Sequence, residues 1–126
     1  MRESTLWFWH LIAGVVILFV LGIHIGVMHL DKIMQALGIL SAGDVLAYAS
    51  VLARAKSVAY LVIYLLLIGF ALYHGFYGLR SMILEISMSK TAEKIVNWVI
   101  VLFGLALFVY GAYAIIVGYS IATNAA

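Results

Sequence analysis

The sequence predicts an all-α membrane protein, with three transmembrane helices in a bundle and a short interfacial helix between the first and second. Three observations lead there. Of 126 residues, 67% are hydrophobic and only 10% charged, against about 25% charged in an ordinary soluble domain. The mean hydropathy is +1.22. Finally, the charged residues leave three long uncharged stretches, each at least the roughly 20 residues a helix needs to cross hydrocarbon.

The first stretch runs from Leu6 to Leu30, between Glu3 and Asp31. It exceeds the usual apolar core of about 7–15 residues in a signal peptide, and no small-x-small cleavage pattern follows it. A retained helix is therefore expected. The loop from Asp31 to Lys56 is apolar for a loop. Ser41 or Asp44 can cap a short helix carrying Val45, Leu46, Tyr48, Val51 and Leu52, lying along the interface. The second span runs from Ser57 to Leu79, between Lys56 and Arg80, and the third from Ile95 to Ala122, after Lys94. Ser120 to Ala126 read as a frayed tail. All three runs are continuous rather than alternating with period two, which argues against strands. The whole chain, residues 1–126, reads as one membrane domain with its ends on opposite sides.

Composition also excludes functions. The absence of Cys rules out disulfides, iron–sulfur or thiolate ligation by this chain, and covalently attached c-type haem. A formal charge of +2, scattered along the chain, does not suggest a nucleic-acid partner. Outside the spans only short separate pieces remain, so this chain holds no soluble catalytic domain. Lys and Arg counting leaves orientation open: Arg2, Arg80, Lys90 and Lys94 fall on the N-terminal side, Lys32, Arg54 and Lys56 on the other. Trp7, Trp9 and Trp98 share the N-terminal depth, as an interfacial belt places them. Gly104, Gly111 and Gly118 recur on one face of the third span, and Gly22 and Gly26 form a small-xxx-small pair on the first. Both patterns allow close helix approach.

The four histidines, His10, His24, His29 and His74, all lie in or at the ends of the spans. Ionisable side chains at such depth are costly and usually functional, and neutral imidazole suits haem iron. His29 and His10 lie nearer helix ends, where hydrogen bonds to backbone or headgroups are the simpler explanation. His24 and His74 each lie about 9 Å past the centre of their span, in antiparallel helices, and so differ in depth by roughly 18 Å. One haem cannot be ligated by both. If both are ligands, two haems stack across the membrane, each with a second ligand from a partner chain. Two other pairings remain open. His10 and His24 are about four turns apart on one helical face, and His10 and His74 share a depth.

The segment His74-Gly75-Phe76-Tyr77-Gly78-Leu79-Arg80-Ser81-Met82-Ile83-Leu84-Glu85 resembles the second-helix motif of succinate:quinone reductase and fumarate reductase membrane anchors. That motif is a His, a Gly four residues on, an Arg two later and then an acidic residue. Gly14 and His24 have the spacing of a first-helix Gly and ligand His in the two-haem members. The resemblance, which covers essentially the whole chain, implies a haem b-binding electron-transfer anchor of a four-subunit complex in a prokaryotic inner membrane. Its partners would be a second three-helix anchor, an iron–sulfur subunit and a flavoprotein, with quinone as substrate. His74 would be the axial ligand of the haem nearer the soluble subunits and His24 of the farther one. Arg80 would face haem propionates. Leu11-Ile12-Ala13 stand where many members carry an Arg and a Ser or Thr before the glycine, and Ile86 stands where some carry a Tyr. Glu85 and His10 are then the candidates for the quinone site. The alternative is a haem-free structural anchor or assembly subunit of a respiratory membrane complex. In both, bond-breaking chemistry belongs to other chains.

Overall fold

The structure, a computed structural model, describes residues 3–40 and 43–124. Three long helices form its body: α1 (Glu3–His29), α4 (Val58–Leu84) and α5 (Lys90–Asn124). Two short ones, α2 (Asp31–Ala36) and α3 (Tyr48–Ala55), lie between α1 and α4. All three long helices are long and apolar enough to cross a membrane, and the chain is an integral membrane protein of the predicted all-helical class. Helix α4 is the middle of the bundle. It packs on α1 and on α5, which do not pack on each other among the described residues.

Little is buried. Ala13 and Ala122 are the fully buried hydrophobic residues, and no large side chain among the described residues is fully enclosed. Leu18 is 70% exposed and Tyr110 73%, an arrangement that water would not tolerate and lipid does. Without a hydrophobic drive between helices, association rests on close packing of small residues and on interhelical hydrogen bonds. The α5 stripe works that way in part. A methyl group at Gly104 would meet the Phe76 ring at 3.2 Å and one at Gly111 would clash with Ile68 Cδ1, whereas at Gly118 nothing lies within 4 Å. The Gly22–Gly26 pair does not join two spans within this chain: Gly22 faces open space and Gly26 meets Met34 of α2.

Several element ends differ from the sequence expectation. Helix α4 runs past Arg80 to Leu84, and α5 starts at Lys90 rather than Ile95. Ser89 opens α5, its Oγ accepting from the Ala92 amide at 3.3 Å, a use of serine that the apolar pattern does not reveal. Helix α5 also continues through the segment read as a frayed tail, to Asn124. Helix α2 was not expected. It ends in a turn where Gly38 takes φ +71°, a left-handed conformation that glycine adopts without strain.

The expected interfacial helix forms as α3, but later and without its cap. Ser41 lies outside the described residues, as does Arg2. The Asp44 carboxylate accepts the amide of Leu46, two residues on, at 2.9 Å. That is a turn contact, so Val45 and Leu46 precede the helix instead of riding on it. The Asp44 carbonyl accepts from Ser50 Oγ at 2.9 Å, which ties this turn to the first residues of α3.

Packing along the glycine stripe sets a direct comparison. Gly111→Leu is expected to lower stability by about 1–3 kcal/mol through overpacking against Ile68. Gly118→Leu, seven residues on and facing open space, should change it by less than about 0.5 kcal/mol. The midpoint of SDS-induced unfolding of the detergent-solubilised chain reads both. Equal losses would mean that the stripe does not pack on α4.

Candidate functional site

The residues singled out by sequence fall into two groups at opposite ends of the helical layer. The first group is built where α1 crosses α4. His10 lies two turns into α1 and His74 in the C-terminal half of the antiparallel α4, so the two reach the same depth. Their rings stack with centroids 4.1 Å apart and 4° between planes. His74 Nδ1 lies 3.1 Å from the carbonyl oxygen of His10. A carbonyl only accepts, so Nδ1 carries the proton and, in the neutral ring, Nε2 keeps the lone pair.

Gly14 makes this possible. A Cβ there would lie 2.9 Å from His74 Cε1, inside the contact limit, so only glycine lets the imidazole sit flat on α1. Gly78 gives the matching room on α4, its would-be Cβ 3.4 Å from His10 Cε1. Tyr77 lies nearby, with 5.0 Å between its ring and that of His10 and 43° between their planes. His10 Nδ1 is buried with no hydrogen-bond partner among the described residues. His74 Nε2 also makes no hydrogen bond there, yet it is not enclosed.

Two turns further along α4, Arg80 joins all three long helices. Its guanidinium meets the Glu3 carboxylate of α1 through two contacts, at 3.0 and 3.3 Å. Nε donates to the Asn97 side-chain oxygen of α5, and the Tyr77 ring lies 5.9 Å beneath. Tyr73 adds a further tie, its hydroxyl donating to the Leu6 carbonyl at 2.7 Å. A groove of about 530 Å³, largely apolar, runs between α4 and its neighbours and ends at Tyr77, Arg80 and Asn97. Sequence reasoning missed Glu3 and Asn97. Asn97 is the one amide within the third apolar run, a signal that would have paired it with an arginine of similar depth.

His24 belongs to the second group. Its neighbours are Tyr64, at 5.9 Å between rings, and His29, at 6.1 Å. It lines a cavity of about 250 Å³ that Arg54, Tyr60 and Tyr64 also border. His24 and His74 thus lie apart, as their depths require. Glu85 is exposed just beyond the end of α4, while His10 is held between α1 and α4, and no contact joins them among the described residues.

The His10 and His74 rings are in parallel contact, with no space between them for an iron. The donor set still fits one axial position. Ligating histidines almost always donate their other ring N–H to a carbonyl, carboxylate or water, and His74 does this through Nδ1. Among the described residues no group of three or more His, Asp or Glu is placed to hold a metal ion; this concerns sites made by protein ligands alone, since haem brings four nitrogens of its own. No family model, curated protein or solved structure matches this chain.

Two predictions follow from these contacts. Gly14→Ala should push the His74 ring off the His10 carbonyl and cost about 1–3 kcal/mol. Nitrogen-15 spectra of the labelled chain would then show His74 losing its fixed Nδ1–H tautomer, and an unchanged tautomer would refute the contact. At the other junction, Arg80→Ala should destabilise more than Glu3→Gln. The former leaves half-buried Asn97 without its partner, at about 1–2 kcal/mol, while the latter removes an exposed ion pair worth under about 1 kcal/mol. SDS unfolding midpoints compare them.

Proposed function

We propose that this chain is a membrane anchor of a succinate:quinone oxidoreductase or fumarate reductase complex, in the inner membrane of a prokaryotic cell, and that it binds haem b through His74. The observation carrying this reading is the setting of His74: Nδ1–H committed to the His10 carbonyl, Nε2 unpartnered, and Gly14 beneath the ring. The His74, Gly78, Arg80 and Glu85 spacing agrees with it. His74 Nε2 would take one axial position and a second anchor chain would supply the other. In the two-haem form, His24 holds the same role at the opposite face. A bound haem supplies a one-electron iron centre between the iron–sulfur subunit and quinone.

The chain's own contribution is to fix the imidazole tautomer, exclude water and hold the helices in register. Arg80 keeps positive charge at the end of the span while engaged with Glu3 and Asn97. The groove ending at Tyr77, Arg80 and Asn97 offers a quinone an apolar bed with donors at one end, a better-formed place than exposed Glu85.

A second reading, the haem-free structural anchor, has its own support. His10 and His74 already fill each other's flank, and Arg80 already has protein partners, so the same residues serve as a helix clasp.

Pyridine-haemochrome counting on the complex captured through this chain separates the two. Two b haems per copy are expected, falling to one in His74→Ala and to one in His24→Ala. Wild-type haem content in assembled His74→Ala complex would remove His74 as a ligand. No haem in intact wild-type complex would leave the structural anchor.

A further inference from the structure

At the face opposite the His10–His74 pair, Arg54 is a cation without a counter-charge. It lies in the last turn of α3 and is half-buried. One terminal nitrogen donates to the Val45 carbonyl. No carboxylate stands within ion-pair distance of it among the described residues, where the ion pairs are Lys32–Asp31 and Arg80–Glu3. A guanidinium has five N–H donors, so most of this one remains uncommitted. The Val45 bond ties it down beside a cavity that Met28 of α1, Tyr60 and Tyr64 of α4 and Tyr119 of α5 also line.

Phenols surround it. Tyr60 and Tyr64 of α4 and Tyr119 of α5 line, with Arg54, a cavity of about 190 Å³. None of the three hydroxyls makes a hydrogen bond among the described residues. Apolar residues including Leu61 and Ile115 complete the wall, and Gly118 leaves its side open. Arg54, Tyr60 and Tyr119 sit at the rim, Tyr64 lies about 6 Å further in along α4, and Ile115 lies about 6 Å below Tyr119 along α5. A cationic fork with hydroxyls matches phosphate, and apolar walls continuing into the bilayer match an acyl chain.

We propose that this cavity is a binding site for one anionic phospholipid, its phosphate held by Arg54 with Tyr60 and Tyr64 and its chain lying against α5 at Gly118. Arg54, Tyr60 and Tyr64 also border the cavity that His24 lines, whereas Gly118 and Tyr119 belong to this one. In this site the lipid is the missing counter-charge and a filler between α3, α4 and α5.

The test is native mass spectrometry of the full chain, purified in neutral detergent and mixed with dioleoyl phosphatidylglycerol or dioleoyl phosphatidylcholine. One phosphatidylglycerol should be retained about tenfold better than phosphatidylcholine, whose phosphate already carries its own choline cation and so offers Arg54 no net counter-charge. Arg54→Gln should abolish that preference and Arg54→Lys keep part of it. Gly118→Leu, filling the channel without touching the charge, should lower retention of both lipids. Millimolar inorganic phosphate should not displace the lipid. Equal retention of the two lipids, full retention by Arg54→Gln or by Gly118→Leu, or displacement by free phosphate would each overturn the proposal. If Arg54→Gln loses helix content through its Val45 bond, Tyr60→Phe with Tyr64→Phe decides: a several-fold fall is expected, and unchanged retention refutes the site.

Discussion

Hydrocarbon gives a polar side chain no partner, so each such group inside the spans must find one within the protein or face a neighbour that supplies it. Much of this structure follows from that constraint. His74, Tyr73 and Arg80 are spaced within two turns of α4, and each reaches across to another helix: to the His10 carbonyl, to the Leu6 carbonyl, and to Glu3 and Asn97. These contacts are concentrated at one end and all originate on the central helix. They set which way α4 is rotated and how far α1 slides along it, which packing of Leu and Val against lipid-like neighbours would leave loose.

Close approach is what allows such short side-chain reaches. Gly14 under His74, Gly104 under Phe76 and Gly111 against Ile68 each pair an absent side chain on one helix with a bulky one on α4. The pairing is not interchangeable. At Gly111 the contact is the far end of an isoleucine, which can rotate away. At Gly14 it is an imidazole pinned by a hydrogen bond to the very helix that carries the glycine, so displacement breaks a polar contact as well. The glycine on α1 is therefore tied to the chemistry of the site, and those on α5 to packing.

How much of this was legible in the sequence follows from what each signal encodes. Apolar run length gave the three spans because lipid imposes it directly. It gave their ends poorly, because a charge marks where the bilayer stops and not where the helix does: α4 continues past Arg80 and α5 begins before Ile95, on the Ser89 cap. Helix rise put His24 and His74 at different depths, and it also put His10 level with His74. It could not say that those two rings would meet, since rotation about each helix axis depends on its neighbours. Glu3 was invisible for the same reason, having meaning only once Arg80 is aimed at it, whereas Asn97 is marked as the one amide in the third apolar run. Asp44 was misread as a helix cap because an aspartate favours a two-residue turn as readily as a helix start.

The His10–His74 contact bears on ligation less simply than its closeness suggests. Stacking uses the face of an imidazole, whereas metal coordination uses the lone pair in the ring plane. The two demands are orthogonal, so a ring covered by His10 still presents Nε2 along its edge. Its opposite edge is fixed by the His10 backbone, through the hydrogen bond that determines which nitrogen keeps the lone pair. One residue thus supports both the face and the tautomer of the other. That arrangement serves a clasp between two helices equally well, and the difference between a clasp and a ligand lies outside this chain, in what a partner brings to the free edge of His74. Helices α1 and α5, which do not close over α4, leave room for such a partner to approach.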